Sequence, residues 1–321
     1  MLNKKLRLFI KIITGNTRFF ISRINAPLAV SFCITKKCQL NCSYCNIPSK
    51  SQEDLSLENI LKKIDELKNL GCLRLSLTGG EPFLRNDIEK ILKYAYKKGF
   101  FLTVNTNGIL LRKYKKLWKY IDMVFLSVDG YTERQKKFRG GLKNIELFSI
   151  AKELRKSKIS VIVNCLLSGQ KKDEIDYLIN NAEKYGFMID FELFSPHEFS
   201  GDKPKSTINT ELIDYIINKR KDSHIISNSQ TNLEMMKKIL ISGKHPGNIR
   251  CFAGKTFAFI DNDGLYYPCF DIRGKIEGVK TFKELKKITD YCSFCRCNGS
   301  IEINSVYSIK IDSILNNLKW W

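Results

Sequence analysis

Three cysteines crowd into Cys38-Gln-Leu-Asn-Cys42-Ser-Tyr44-Cys45, directly after the apolar run 28–34. Thiolates at this spacing can each hold one iron of a cubane cluster, which normally takes four. The fourth iron is then left for something other than protein. A zinc site is the competing reading, since short-spaced cysteine pairs also serve zinc. Zinc would need a fourth ligand nearby, and no His or further Cys follows until Cys72.

The cysteine count supports metal over disulfides. Eleven cysteines is an odd number, and short spacings in a reducing compartment point to metal ligation or catalysis. Cys33, Cys72 and Cys165 stand alone in apolar strand-like runs and read as small buried hydrophobes. The other eight fall at 38–45 and 251–297. No uncharged apolar run is long enough to span a bilayer, and Lys11 and Gly15 interrupt any signal-like core. The expected location is the cytoplasm, with peripheral contact at a membrane surface left open.

Lys and Arg number 54 against 33 Asp and Glu, a formal charge of +21 that favours an anionic partner. The lysines are dispersed, however, with no dense Arg cluster and no interleaved stacking aromatics. Nucleic acid is therefore not the expected partner. Residues 1–27 place Leu2, Leu6, Phe9, Ile10 and Ile13 on one helical face among Lys4, Lys5, Arg7 and Lys11. Such a segment can cover a barrel end or lie on an anionic membrane. The terminal Leu318-Lys-Trp-Trp321 carries the same ambiguity.

From residue 28 strands and helices alternate. Strand-like runs are 28–34, 72–77, 101–105, 123–128, 159–166 and 188–194; helix-like runs are 56–69, 86–98, 110–120, 141–156 and 172–185. The alternation predicts parallel βα units, too few for an eight-stranded barrel. Active sites of such barrels sit at the C-terminal strand ends. Thr78-Gly79-Gly80-Glu81-Pro82 follows the second run, Thr106-Asn107-Gly108 the third, and Ser127-Val-Asp129-Gly the fourth, with Arg139 shortly beyond. The glycine pair permits close backbone approach to a ligand. Asp129 reads equally as cavity-lining or structural.

Residues 195–250 break the rhythm. His197, Glu198 and Asp202 are candidates for substrate contacts or a general base, and helix-like segments follow at 209–221 and 230–242. Cys251, Gly264 and Cys269 are spaced C-x12-G-x4-C, and the runs flanking Asp261-Asn-Asp-Gly264 predict a β-hairpin that gathers the two cysteines. Cys292-Ser-Phe-Cys295-Arg-Cys297 comes next. Two ligands from a hairpin and two from a following turn also describe a zinc ribbon.

Together these motifs resemble the radical S-adenosylmethionine (SAM) superfamily, with a C-terminal region similar to SPASM and shorter "twitch" auxiliary-cluster domains. The resemblance is strong over 28–195 and weaker over 251–297. It implies an α/β fold: a partial six-stranded (βα)6 TIM-like barrel with a small C-terminal hairpin, cluster-binding domain. The expected division is an N-terminal segment 1–27, barrel 28–195, helical connector 196–250, auxiliary domain 251–300 and tail 301–321.

By the same resemblance, Cys38, Cys42 and Cys45 hold a catalytic [4Fe–4S] cluster. Tyr44, Gly79, Gly80, Glu81, Asn107, Ser127, Arg139 and Leu166 surround SAM. The Gly-Gly-Glu backbone and carboxylate would hold the SAM amino group, Ser127 and Arg139 its carboxylate, and Leu166 would pack on adenine. A second, auxiliary [4Fe–4S] cluster would take four of Cys251, Cys269, Cys292, Cys295 and Cys297. The full SPASM pattern has seven cysteines in this region, and this chain has five. The family's chemistry is reductive cleavage of SAM to a 5′-deoxyadenosyl radical that takes a substrate hydrogen atom, with a flavodoxin- or ferredoxin-like reductant. A small-molecule substrate is expected first and a lipid or isoprenoid second. Peptide maturation ranks lower, because 27 residues before the barrel are too few for a leader-binding domain. A non-catalytic iron–sulfur or zinc scaffold binding nucleic acid is the alternative of another class.

Overall fold

The structure, a computed structural model, describes residues 27–48, 53–194, 209–243, 251–273, 276–285, 302–304, 310 and 312–313. The basic segment through residue 26, the candidates His197, Glu198 and Asp202, the candidate ligands Cys292, Cys295 and Cys297, and the terminal tryptophans lie outside the described residues.

Six strands carry the barrel: β1 Ala29–Thr35, β2 Arg74–Gly79, β3 Phe101–Thr106, β4 Met123–Ser127, β5 Ser160–Leu167 and β6 Met188–Leu193. Between them run α1 Leu57–Asn69, α2 Ile88–Lys97, α3 Thr132–Phe138, α4 Asn144–Lys156 and α5 Lys172–Tyr185. Neighbouring strands from β1 to β6 pair in parallel. This is the α/β partial barrel that the alternation predicts. After β6 come α6 Thr210–Asp222 and α7 Gln230–Ser242, then β7 Phe257–Ile260 and β8 Tyr266–Tyr267.

Local chemistry explains the boundaries. Ser56 caps α1 by accepting from the Asn59 amide, and Gly186 ends α5 in the left-handed region. Period-2 alternation sorts each strand into two faces. Val30, Phe32, Ile34, Leu75, Leu77, Leu102, Val104, Val124 and Leu126 face the helices and form the main core. The opposite face lines the barrel interior. Its lower layer is apolar, with Phe101, Met123 and Ile162 packed beside Leu73, Phe125 and Met188. Above that layer the interior turns polar.

Three features depart from the sequence expectation. The segment 110–120 is turns followed by a 3-10 helix at Lys115–Tyr120, not an α-helix. Leu111, Tyr114 and Leu117 recur every three residues, and the Trp118 indole donates to the Leu111 carbonyl at 3.1 Å, so the tighter helix buries this face better. α3 had no counterpart in the helix-like runs. The predicted hairpin is present, with Phe259 opposite Tyr267, but β7 also pairs in parallel with β1. The sheet is therefore eight strands in the order β6-β5-β4-β3-β2-β1-β7-β8. A buried ion pair between Lys36 and Asp261, at 3.2 Å, fastens the hairpin turn to the segment leading into the cysteines.

Phe148 on α4 sits at the centre of an aromatic cluster, with ring centroids 5.2 Å from Phe187, 5.7 Å from Tyr185 and 6.0 Å from Tyr177. Truncation of Phe148 to Ala is expected to cost about 3–5 kcal/mol. The check is a lowered thermal unfolding midpoint; an unchanged midpoint would contradict this account of the core.

Candidate active site

A cavity of about 220 Å³ opens at the C-terminal ends of the strands. Its wall includes Cys38, Cys42, Tyr44 and Cys45 from the loop after β1, and Gly79 and Gly80 at the end of β2. Asn107, Ser127, Arg139 and Leu166 complete the expected set. Every described site residue expected for the catalytic cluster and SAM thus meets at one cavity, except Glu81.

The two glycines do something the sequence did not reveal. The Gly80 amide donates to the Thr35 carbonyl and the Glu81 amide to the Lys37 carbonyl, both at 2.8 Å. A Cβ on Gly79 would lie 2.0 Å from the Thr35 oxygen, and one on Gly80 would lie 2.3 Å from the Lys37 oxygen. Gly79 also has φ of +142°, a region L side chains rarely adopt. The glycines are therefore required for the approach of this turn to the base of the cysteine loop.

Asn107 steadies the same loop, with its side-chain amide 3.8 Å from the Cys38 sulfur and its carbonyl oxygen accepting from Gln39. The Leu40 amide also donates to the Cys38 sulfur at 3.4 Å. Burial raises the pKa of all three thiols, that of Cys42 to about 11. Neutral thiols are the result in the absence of cations, and bound metal would supply the charge that stabilises thiolates. Each of the three lies within electrostatic range of another. Among the described residues no three His, Cys, Asp or Glu side chains are gathered for a single ion. Three thiols sharing one cavity, with N–H donors aimed at the Cys38 sulfur, fit a metal cluster.

Asp129 resolves as the organiser of the site. Its carboxylate is wholly buried and accepts from the Tyr44 hydroxyl, from Arg139 Nε at 2.6 Å and Nη2 at 3.2 Å, and from the Leu166 amide at 3.1 Å. Burial opposes the Arg139 charge, but Asp129 and its neighbours hold the guanidinium pKa well above the usual value. Burial likewise keeps the Tyr44 phenol protonated. The two-point grip on a ligand carboxylate that Arg139 could offer is already taken by Asp129, although Arg139 still lines the cavity.

Glu81 lies behind the cavity wall. Its carboxylate is fully buried and accepts from the Phe83 amide, the Thr106 hydroxyl and the Asn107 amide. Burial pushes its pKa up to about 7, against the pull of those hydrogen bonds. It joins the turn after β2 to that after β3 and does not line the cavity. Sequence reasoning also missed Asn105, Phe125, Asn164 and Glu192, all on the wall. The signal was available: each lies two residues from an inward position on its own strand, as Asn164 does from Leu166.

Cys251 and Cys269 pack against the same small cluster of Phe252, Ala253 and Phe257, as the hairpin predicts. Their three candidate co-ligands are outside the described residues.

Two substitutions test this geometry. Gly80→Ala should drive the cysteine loop off its brace and lower the iron bound after anaerobic reconstitution by about four per chain, with far-ultraviolet circular dichroism retained. Full iron loading would refute the bracing role. Asp129→Ala leaves Arg139 as a buried unpaired cation, a loss of about 3–5 kcal/mol. Thermal unfolding reads that loss, and a wild-type midpoint would contradict it.

Comparison with known proteins agrees with the geometry. Residues 32–182 match the family model described as the Radical SAM superfamily. The chain is 32% identical over 212 residues to GTP 3',8-cyclase of Clostridium perfringens, covering 62% of this chain and 64% of that protein. It therefore spans somewhat less than two thirds of that relative's length. A probable GTP 3',8-cyclase of Methanococcus aeolicus is 30% identical, over 74% of this chain and 83% of its own. AdoMet-dependent heme synthase of Methanosarcina barkeri is 26% identical, over 78% of each chain. In fold, the crystal structure of Streptococcus suis SuiB bound to S-adenosylmethionine superposes with a TM-score of 0.67 at 17% identity, over 85% of this chain and 67% of that one. The chain belongs to the radical SAM superfamily, whose members use a [4Fe–4S] cluster and S-adenosylmethionine.

Proposed function

We propose that Cys38, Cys42 and Cys45 hold the catalytic [4Fe–4S] cluster and that the cavity beside them receives SAM and a small polar substrate. The observation that carries this reading is the convergence of three thiols from one braced loop on a cavity walled by the strand ends. When bound, the cluster and SAM supply reductive cleavage to a 5′-deoxyadenosyl radical and removal of a substrate hydrogen atom. The chain's own residues position and shield. The backbone at Gly79 and Gly80 and the side chains of Ser127 and Arg139 offer polar contacts to the amino-acid end of SAM, and Leu166 offers an apolar face to adenine. The apolar layer of Phe101, Met123 and Ile162 closes the barrel below and excludes water from that side.

The substrate reading follows from the wall. Asn105, Ser127, Asn164 and Glu192 present polar groups where an isoprenoid chain would need apolar ones. This favours a polar small molecule over a lipid. The relatives are, by their names, as different as a GTP cyclase and a heme synthase, so the likeness does not choose a substrate. Among the described residues no helix is long and apolar enough to cross a membrane.

An auxiliary [4Fe–4S] cluster on Cys251, Cys269 and two of Cys292, Cys295 and Cys297 completes the reading, in an electron-transfer role. A flavodoxin- or ferredoxin-like protein would serve as reductant. The test is anaerobic reconstitution with iron and sulfide, followed by dithionite and SAM. About eight irons per chain and formation of 5′-deoxyadenosine are expected. About four irons with activity would remove the auxiliary cluster. Zinc binding with no SAM cleavage in a fully reconstituted sample would overturn the whole reading.

A further inference from the structure

The charged groups of the cavity wall divide unequally. The three cysteines and Tyr44 belong to the cluster loop, and Arg139 is paired with Asp129 and, in the proposed function, contacts the amino-acid end of SAM. Glu192 remains. It projects from β6, at the far end of the strand order from β1 and β2, whose exits carry the cysteine loop and the glycine turn. Its polar neighbour is the Asn164 side-chain amide, which donates to Glu192 Oε1 at 3.3 Å. Asn164 Oδ1 is itself buried and has no hydrogen-bond partner within the protein. A buried amide oxygen of this kind calls for a donor.

The charges facing Glu192 are also one-sided. Among the described residues, Asp190 on its own strand, Asp129 after β4 and Asp271 beyond the hairpin act against its ionisation, and Arg139 favours it. Three further carboxylates among the described residues thus act on Glu192, inside a chain of formal charge +21. Burial comes first and this crowding second in pushing the Glu192 pKa up to about 8. A cation placed there would relieve both effects at once.

We propose that Glu192 and Asn164 form the substrate-recognition subsite of the cavity and that the substrate carries a protonated amine. An ammonium has three donors and a positive charge. It can meet the Glu192 carboxylate on the cavity wall, beside the Asn164 amide, with charge and donors that an alcohol reproduces only in part. The inference rests on the radical SAM reading for the place of the substrate. It adds the substrate's chemical class and gives Glu192 a positioning role.

The test uses the reconstituted enzyme with SAM and two probes of matched length, 1,5-diaminopentane and 1,5-pentanediol. Calorimetric titration at about pH 9, where Glu192 is ionised and the amine still charged, should show the diamine binding at least about tenfold tighter than the diol. That preference should shrink as the pH falls to about 6 and Glu192 takes up a proton. It should vanish in Glu192→Gln, which keeps shape and hydrogen bonding but removes the charge. Bound iron is counted for both proteins, so a misfolded variant is recognised, and Asn164→Asp then gives an independent reading, with the diamine preference raised. Equal binding of the two probes by the wild type, including binding of neither, overturns the proposal. So does a preference that survives in Glu192→Gln. If that variant loses SAM binding instead, Glu192 serves the cofactor and the inference falls. Failure of the radical reading appears separately, as wild-type enzyme that forms no 5′-deoxyadenosine.

Discussion

A carboxylate with no exposure to water survives only if its charge is answered on every side, and Asp129 meets that condition. Its partners come from separate parts of the chain: Tyr44 from the cysteine loop, Arg139 from the end of α3, and the Leu166 backbone from β5. Gln170 adds a further tie by donating to the Asp129 carbonyl at 2.6 Å and the Leu166 carbonyl at 2.8 Å. A buried pair of this kind gains little net stability from its own attraction. What it gains is position, because removing either member strands the other. The cysteine loop is held by Asp129 through Tyr44 and by Gly80 and Glu81 through their amides. Its three thiols are therefore set by the ends of β2 and β4, not by the loop's own preferences.

Much of this was legible from local pattern. Strand–helix alternation located all six barrel strands within about two residues, and the motifs at their ends proved to share a cavity. The reason is that strand period and barrel polarity are both local rules: alternation assigns faces, and the C-terminal ends share one rim. Asn164 and Glu192 obeyed the same rules and were overlooked because no motif marked them. Asp129 was visible but undecided, since its role depends on what Tyr44, Arg139 and Leu166 do in space.

What local pattern left out shares a cause. Glu81 sits in a motif whose resemblance implies a ligand contact, and three donors from the adjoining turns also hold its carboxylate. Residues 110–120 carry apolar positions that suit an α-helix, but the Trp118 indole captures the Leu111 carbonyl and a period of three wins. The parallel pairing of β1 with β7 joins segments far apart in sequence. No local signal announces such a partner, because a strand buried on both sides reads the same whichever neighbour it has.

Net charge teaches the opposite lesson about range. Many of the lysines lie on the surface, and exposed pairs such as Lys62–Glu58 and Lys98–Asp65 contribute little to stability. Salt screens such charges beyond about 8–10 Å. A buried wall is not screened in that way, so the sign of the potential inside the cavity is set by the few groups that face it. Among the described residues, the carboxylates acting on Glu192 outnumber Arg139, whereas the chain as a whole is basic. The bulk charge that drew attention to anionic partners is thus no guide to what the cavity accepts. Which side chains the rim turns inward is fixed by strand register, not by the bulk charge.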